Sequence, residues 1–224
     1  MTDESLTDAQ FDRALITAAF HLAAAKGWHR ISIAEAARDA GVALDRARER
    51  FPGRNALLLR FGRMADQAAL AETPSEGTVR DRLFDLIMRR LDFLQQHRAG
   101  VLALFRALPT DPAVAMLLGC ASRNSLAWLL DATGIPTGGI AGRLRVCGLM
   151  AVWLWTVRAW QKDEGLDLAH TMAALDTALS RADGPASWLE RPARGKAGAA
   201  GTTADPEPEA TPDARFSPTD EPAG

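Results

Sequence analysis

Three features of the chain predict an all-α fold. Apolar residues recur at steps of three and four, no stretch alternates with a strand period, and Tyr and β-branched runs are absent. The hydrophobic share of 47% is enough for a real core, and the charged share of 24% is ordinary for a soluble protein. The net charge is −2 and the isoelectric point about 6.1, so any contact with nucleic acid would depend on a local patch.

The first helix is expected from a cap at Thr7 or Asp8 to Lys26 and Gly27, with Phe11, Leu15, Ala18, Ala19 and Leu22 as its apolar stripe. Ser32 with Glu35 three residues later reads as a capping box opening a second helix. Gly41 supplies a left-handed turn after it. A third helix covers about residues 43–51 and ends at Pro52-Gly53. Asn55 can then cap a fourth, running to about Glu72. Two short helices joined by a Gly turn are the outline of a helix-turn-helix unit, whose second helix enters the DNA major groove where such units bind DNA.

Residues 73–77 read as a linker, and helices are expected over roughly 78–97, 99–108, 112–131, 140–162 and 168–183. The apolar run Val146–Val157 is twelve residues, too short to span a bilayer, and predicts a core helix buried on nearly every side. From Gly184 onward the chain carries seven of its twelve prolines among Gly, Ala, Thr and acids. This segment, 184–224, is expected to be disordered, with Trp188-Leu189 able to dock. The predicted organisation is a helix-turn-helix domain over 1–63, a helical bundle over 64–183 and the tail.

Wound at about 100° per residue, the third helix puts Leu44, Ala47 and Phe51 toward its neighbours. Asp45, Arg46 and Glu49 then face outward, with Arg48 and Arg50 on the flanks. Arginine suits guanine edges and phosphates, whereas the two acids repel phosphate. Residues 1–63 hold ten Lys or Arg against eight Asp or Glu, a local excess of +2.

Arg13–Phe20, Gly27-Trp28 before Ile31-Ser32-Ile33, the 33–37 helix start, Gly41-Val42, and Phe51-Pro52-Gly53-Arg54 before Ala56-Leu57-Leu58 together resemble the TetR family of bacterial regulators. The resemblance covers about residues 8–183. It implies a homodimer that binds double-stranded operator DNA, with a ligand-binding and dimerisation bundle behind the reading heads. A small apolar ligand would release the DNA. By position, Ser32 and Arg54 match phosphate-holding places, and Ala43, Leu44, Asp45, Arg46, Arg48, Glu49 and Arg50 fall in the reading helix. The chain departs from that family at Ala43, Leu44, Asp45 and Arg48, where Ser or Thr, a polar residue, a small residue and Tyr are usual. Arg82–Asp92 and the pattern from Trp160 to Asp176 also resemble the lipid-binding accessory proteins of ubiquinone biosynthesis, which share the fold without reading DNA.

Aromatic mass in the second half suggests a pocket for an apolar ligand, with Phe105, Met116, Trp128, Trp153 and Trp160 as lining candidates. Leu168, Met172, Leu175 and Leu179 form a stripe that fits either a neighbouring helix or a symmetry mate. Cys120 and Cys147 have no paired spacing, are expected as buried thiols, and fit a reducing cytoplasm. The acidic start, with Asp3, Glu4 and Asp8, does not read as a signal peptide. His21, His29, His97 and His170 are scattered, so no metal or other cofactor is expected. Ser122, Ser125 and Asp131 lack the partners of a nucleophile, so the chain does not read as an enzyme.

Overall fold

A computed structural model describes residues 6–71, 77–165 and 167–183. The expected tail, the Trp188-Leu189 contact and most of the 73–77 linker lie outside the described residues. Among those described there are nine α-helices and no strand. They are α1 (Asp8–Lys26), α2 (Ile33–Asp39), α3 (Leu44–Arg50), α4 (Arg54–Leu70), α5 (Val79–Gln95), α6 (Arg98–Ala107), α7 (Pro112–Ala132), α8 (Gly139–Lys162) and α9 (Ala169–Asp183).

Local signals set most boundaries. Thr7 and Gln10 form a full capping box on α1, and Thr78 with Asp81 forms another on α5. At α2 only half of the expected box is made. The Ser32 hydroxyl accepts from Glu35 N at 3.2 Å, but the Glu35 carboxylate turns to Lys26 at the end of α1. Gly41 has φ of +65°, the left-handed turn that its position predicts. Asn55 is not a cap, because α4 begins one residue earlier on the extended backbone of Gly53.

The core of the first three helices is Phe11, Leu15, Ala19, Ala36, Ala37, Val42, Ala47 and Phe51, all buried. Leu44 departs from expectation: at the first turn of α3 it projects past its neighbours and is 48% exposed. Helix α4 joins this head to the remainder. Its Leu57, Leu58 and Phe61 lie in the core, and it packs on α1, α5 and α7. The expected boundary at residue 63 therefore falls in the middle of a continuous helix.

Helix α1 also packs directly on α6. At Gly100 the two backbones come so close that a Cβ would sit 2.3 Å from the Phe20 carbonyl oxygen. Beside this crossing Phe20, Phe61, Phe93 and His97 form one ring cluster, with Phe20 and Phe61 centroids 4.3 Å apart. Burial in that cluster, and the charge of Arg13, hold the His97 imidazole below its ordinary pKa.

Helix α8 is not buried all round. Ile140, Leu144, Leu154 and Trp155 lie on its open side, at steps that keep them on one stripe. Cys147 falls on the same stripe and is exposed, as is Cys120 on α7, so neither thiol is the buried group expected. The α9 stripe turns inward: Leu168, Leu175 and Leu179 are buried, and α9 packs on α8 and α5. Helices α7 and α8 are both long and apolar enough to cross a membrane by length and composition, α8 extending well beyond its twelve-residue apolar run.

Candidate functional site

Two places carry chemistry: the exposed face of α3 and a cavity between α4, α5, α6, α7 and α8. On α3 the basic side chains do not stand where helical winding alone puts them. Arg46 folds back over the ring of Phe11, its guanidinium carbon 4.5 Å from the centroid, and donates to the Leu6 carbonyl at 3.1 Å and to Asp8 Oδ1 at 2.7 Å. Arg50 donates to both oxygens of Asp12, at 2.7 and 2.9 Å, and pairs with Asp8 at 2.7 Å. Arg60 of α4 reaches the same Asp12 carboxylate at 2.7 Å. A buried carboxylate on α1, 1% exposed, thus ties α3 and α4 to the first helix. The Arg46 hydrogen bond, with the charge of Arg50, holds Asp8 below the usual carboxylate range.

What remains outward on α3 is Leu44, Asp45, Arg48 and Glu49, with Ala43 half-buried at the N-cap. Arg48 donates to the Pro52 carbonyl at 2.9 Å and stays exposed. Ser32 is exposed at the start of α2, its hydroxyl engaged as the cap. Arg54 is half-buried and donates to the Trp28 carbonyl at 3.0 Å, bracing the loop before α2. Of the four arginines singled out in the sequence, Arg46, Arg50 and Arg54 hold the head together and Arg48 faces out. Sequence reasoning misses Asp12, although an acid beside Phe11 on the buried side of α1 is the available signal.

The cavity has a volume of about 360 Å³, near the lower end of the roughly 300–1,000 Å³ usual for ligand sites. Its walls are mainly apolar: Leu58 and Phe61 from α4, Leu94 from α5, Leu104 and Phe105 from α6, Leu118 from α7. Three of the five expected aromatic and Met positions meet here, namely Phe105, Trp128 and Trp153. Trp128 is 69% exposed and stands at the mouth. Met116 is 71% exposed and does not line the cavity, because it sits on the outer side of α7. Trp160 does not line it either. It is fully buried behind Phe105, which meets it edge-on at 6.5 Å, and its Nε1 donates to Gln95 Oε1 at 2.9 Å.

A polar node interrupts the apolar wall, which also carries Ser122 and Asn124 of α7. Arg90 of α5, 5% exposed, lies over the Trp153 ring at 4.7 Å and 3.2 Å from Asp66 Oδ1 of α4. Ser125 of α7 bridges the two, accepting from Arg90 and donating to Asp66 in very short contacts. Burial pushes the guanidinium below its ordinary pKa, against the pull of Asp66. Arg90 Nε is buried with no acceptor, and an unpaired donor of this kind costs about 1–3 kcal/mol. The sequence held the signal, since Arg90 falls on the apolar stripe of α5 with Leu83, Leu86, Ile87 and Leu94.

No family model matches the sequence, and no curated protein matches it. Solved structures do. A TetR transcriptional regulator from Nitrosomonas europaea ATCC 19718 superposes with a TM-score of 0.63 at 23% identity, over 76% of this chain and 97% of that one. One from Rhodococcus sp. RHA1 gives 0.54 at 18% identity, over 79% and 97%. The helix-turn-helix head, the bundle that holds the cavity and the order of helices agree with this likeness: the chain has the fold of the TetR transcriptional regulators.

Proposed function

We propose that this chain is a ligand-responsive transcriptional regulator of the TetR type, acting in the cytoplasm as a homodimer and repressing from an operator. The observation that carries the reading is a helix-turn-helix whose second helix, α3, is exposed while the next helix, α4, runs on into the wall of an apolar cavity. Ligand in that cavity would bear on the helix that positions the head. The open apolar stripe of α8 supports self-association, since a lone soluble subunit rarely leaves such a surface to water. Arg48 is assigned to phosphate and Ser32 to the same strand near the α2 N-terminus, while Asp45 and Glu49 limit how deeply α3 can enter the groove. Arg46, Arg50 and Arg54 are assigned to holding the head in shape.

The test is binding to DNA upstream of the protein's own gene over a salt series. A regulator binds that DNA more tightly than random sequence, weakens steeply with salt, and weakens by roughly 1–3 kcal/mol with Arg48→Ala if the side chain reads a base, or loses about one unit of salt slope if it holds phosphate. Affinity equal to that for random DNA overturns the proposal.

A further inference from the structure

The charge inside the cavity points to a class of ligand. Among the described residues three charged side chains line it, Arg63, Asp66 and Arg90. Asp66 and Arg90 are paired to each other, and Ser125 is already used in bridging them. Arg63 is exposed at the rim, so the lining sums to +1. The donor left over is also on the cation: Arg90 Nε has no acceptor, in a residue 5% exposed to water. A cationic ligand would add to a positive site and leave that donor unpaired. A neutral hydrocarbon would leave both. An acceptor bearing one negative charge answers both, and the apolar walls accommodate the rest of the molecule.

We propose that the cavity takes a small monoanionic amphiphile, a carboxylate on an alkyl or aromatic body, with its head on Arg90 and its body among Phe61, Leu104, Phe105 and Leu118. This rests on the cavity being the ligand site of the regulator proposed above. Guanidinium is planar and recognises carboxylate with parallel N–H donors, and the Trp153 ring lies against Arg90 at 4.7 Å.

The experiment titrates the full chain with decanoate, decan-1-ol and decylamine, read by tryptophan fluorescence, because Trp128 and Trp153 line the site, and by calorimetry. Decanoate is expected to bind roughly tenfold or more tighter than decan-1-ol, and decylamine weakest, the advantage of a charge-assisted hydrogen bond. The double variant Asp66→Asn with Arg90→Met removes both charges and brings decanoate to the level of decan-1-ol, while Arg63→Ala preserves the preference. Should the double variant fail to fold, the three ligands on the unaltered protein still decide. Equal binding of decanoate and decan-1-ol, or a preference for decylamine, overturns the anion assignment and leaves the cavity a ligand site. Loss of the preference in Arg63→Ala overturns the placement on Arg90. Failure of all three to bind overturns the anion assignment together with the cavity reading. None of these outcomes depends on whether the head binds DNA.

Discussion

Two aspartates one turn apart on α1 do different work. Asp12 is buried and holds Arg50 and Arg60, so Asp12→Ala leaves two guanidiniums without their shared partner. Because both arginines are about a quarter exposed, water recovers part of the loss, and the expected cost is about 2–3 kcal/mol in urea unfolding. Asp8 is exposed and its tie to Arg46 is screened by solvent. Asp8→Asn should leave stability nearly unchanged and release Arg46 toward DNA. The salt dependence of DNA binding then steepens by about 0.9 for each further phosphate that the protein neutralises. An unaltered slope would mean that Arg46 keeps its place over Phe11 without the carboxylate. Since Asp8 titrates below the usual carboxylate range when folded, its tie is present at neutral pH. It is lost only as the pH falls below that of an ordinary aspartate.

The crossing of α1 and α6 brings two helix backbones into close contact at Gly100. Gly100→Ala places a methyl 2.3 Å from the Phe20 carbonyl oxygen, which backbone cannot yield without moving a helix. A loss of about 1–3 kcal/mol is expected, seen as a lowered thermal midpoint. His97 sits at the same crossing with its folded pKa depressed from 6.5. A depressed histidine binds its proton more readily when unfolded, so stability is fully present above about pH 6.5 and declines as the pH falls toward the folded value. His97→Phe, which keeps a ring among Phe20, Phe61 and Phe93, should flatten that decline below pH 6.5; an unchanged profile would assign the titration elsewhere. Most element boundaries were legible because each rests on a few adjacent residues: Thr7, Ser32, Gly41, Pro52. What winding angles alone missed were contacts between elements distant in sequence. Winding puts Arg46 outward and Arg50 on its flank, and only α1 brings Asp8 and Asp12 to them; sequence reasoning does not single out Arg90, and only the fold closes Asp66 and Ser125 around it.

At the scale of the molecule, the open side of α8 decides how the chain meets its surroundings. Ile140, Leu144, Leu154 and Trp155 are too apolar a row to remain in water at high concentration. Sedimentation equilibrium should give a dimer, and Leu154→Glu with Trp155→Glu a monomer of unchanged helicity; a dimer that survives both changes would move the interface off α8. Aromatic composition pointed to a pocket but did not separate its lining from its surroundings. Trp160 and Met116 satisfy the same composition as Trp153 and Phe105, and only packing assigns the first to the core and the second to the outer face.

The continuity of α4 has a thermodynamic corollary. Its seventeen residues make a rod of about 25 Å, with Leu57 in the core near its start and Asp66 in the cavity wall. If occupying the cavity weakens the grip on an operator by some factor, the operator must weaken the cavity's affinity by the same factor, commonly about 5- to 150-fold. A dissociation constant for the small molecule measured on the free protein would then describe only the population off DNA. The concentration that triggers release would be higher, and it would rise with the number of operator copies the cell carries.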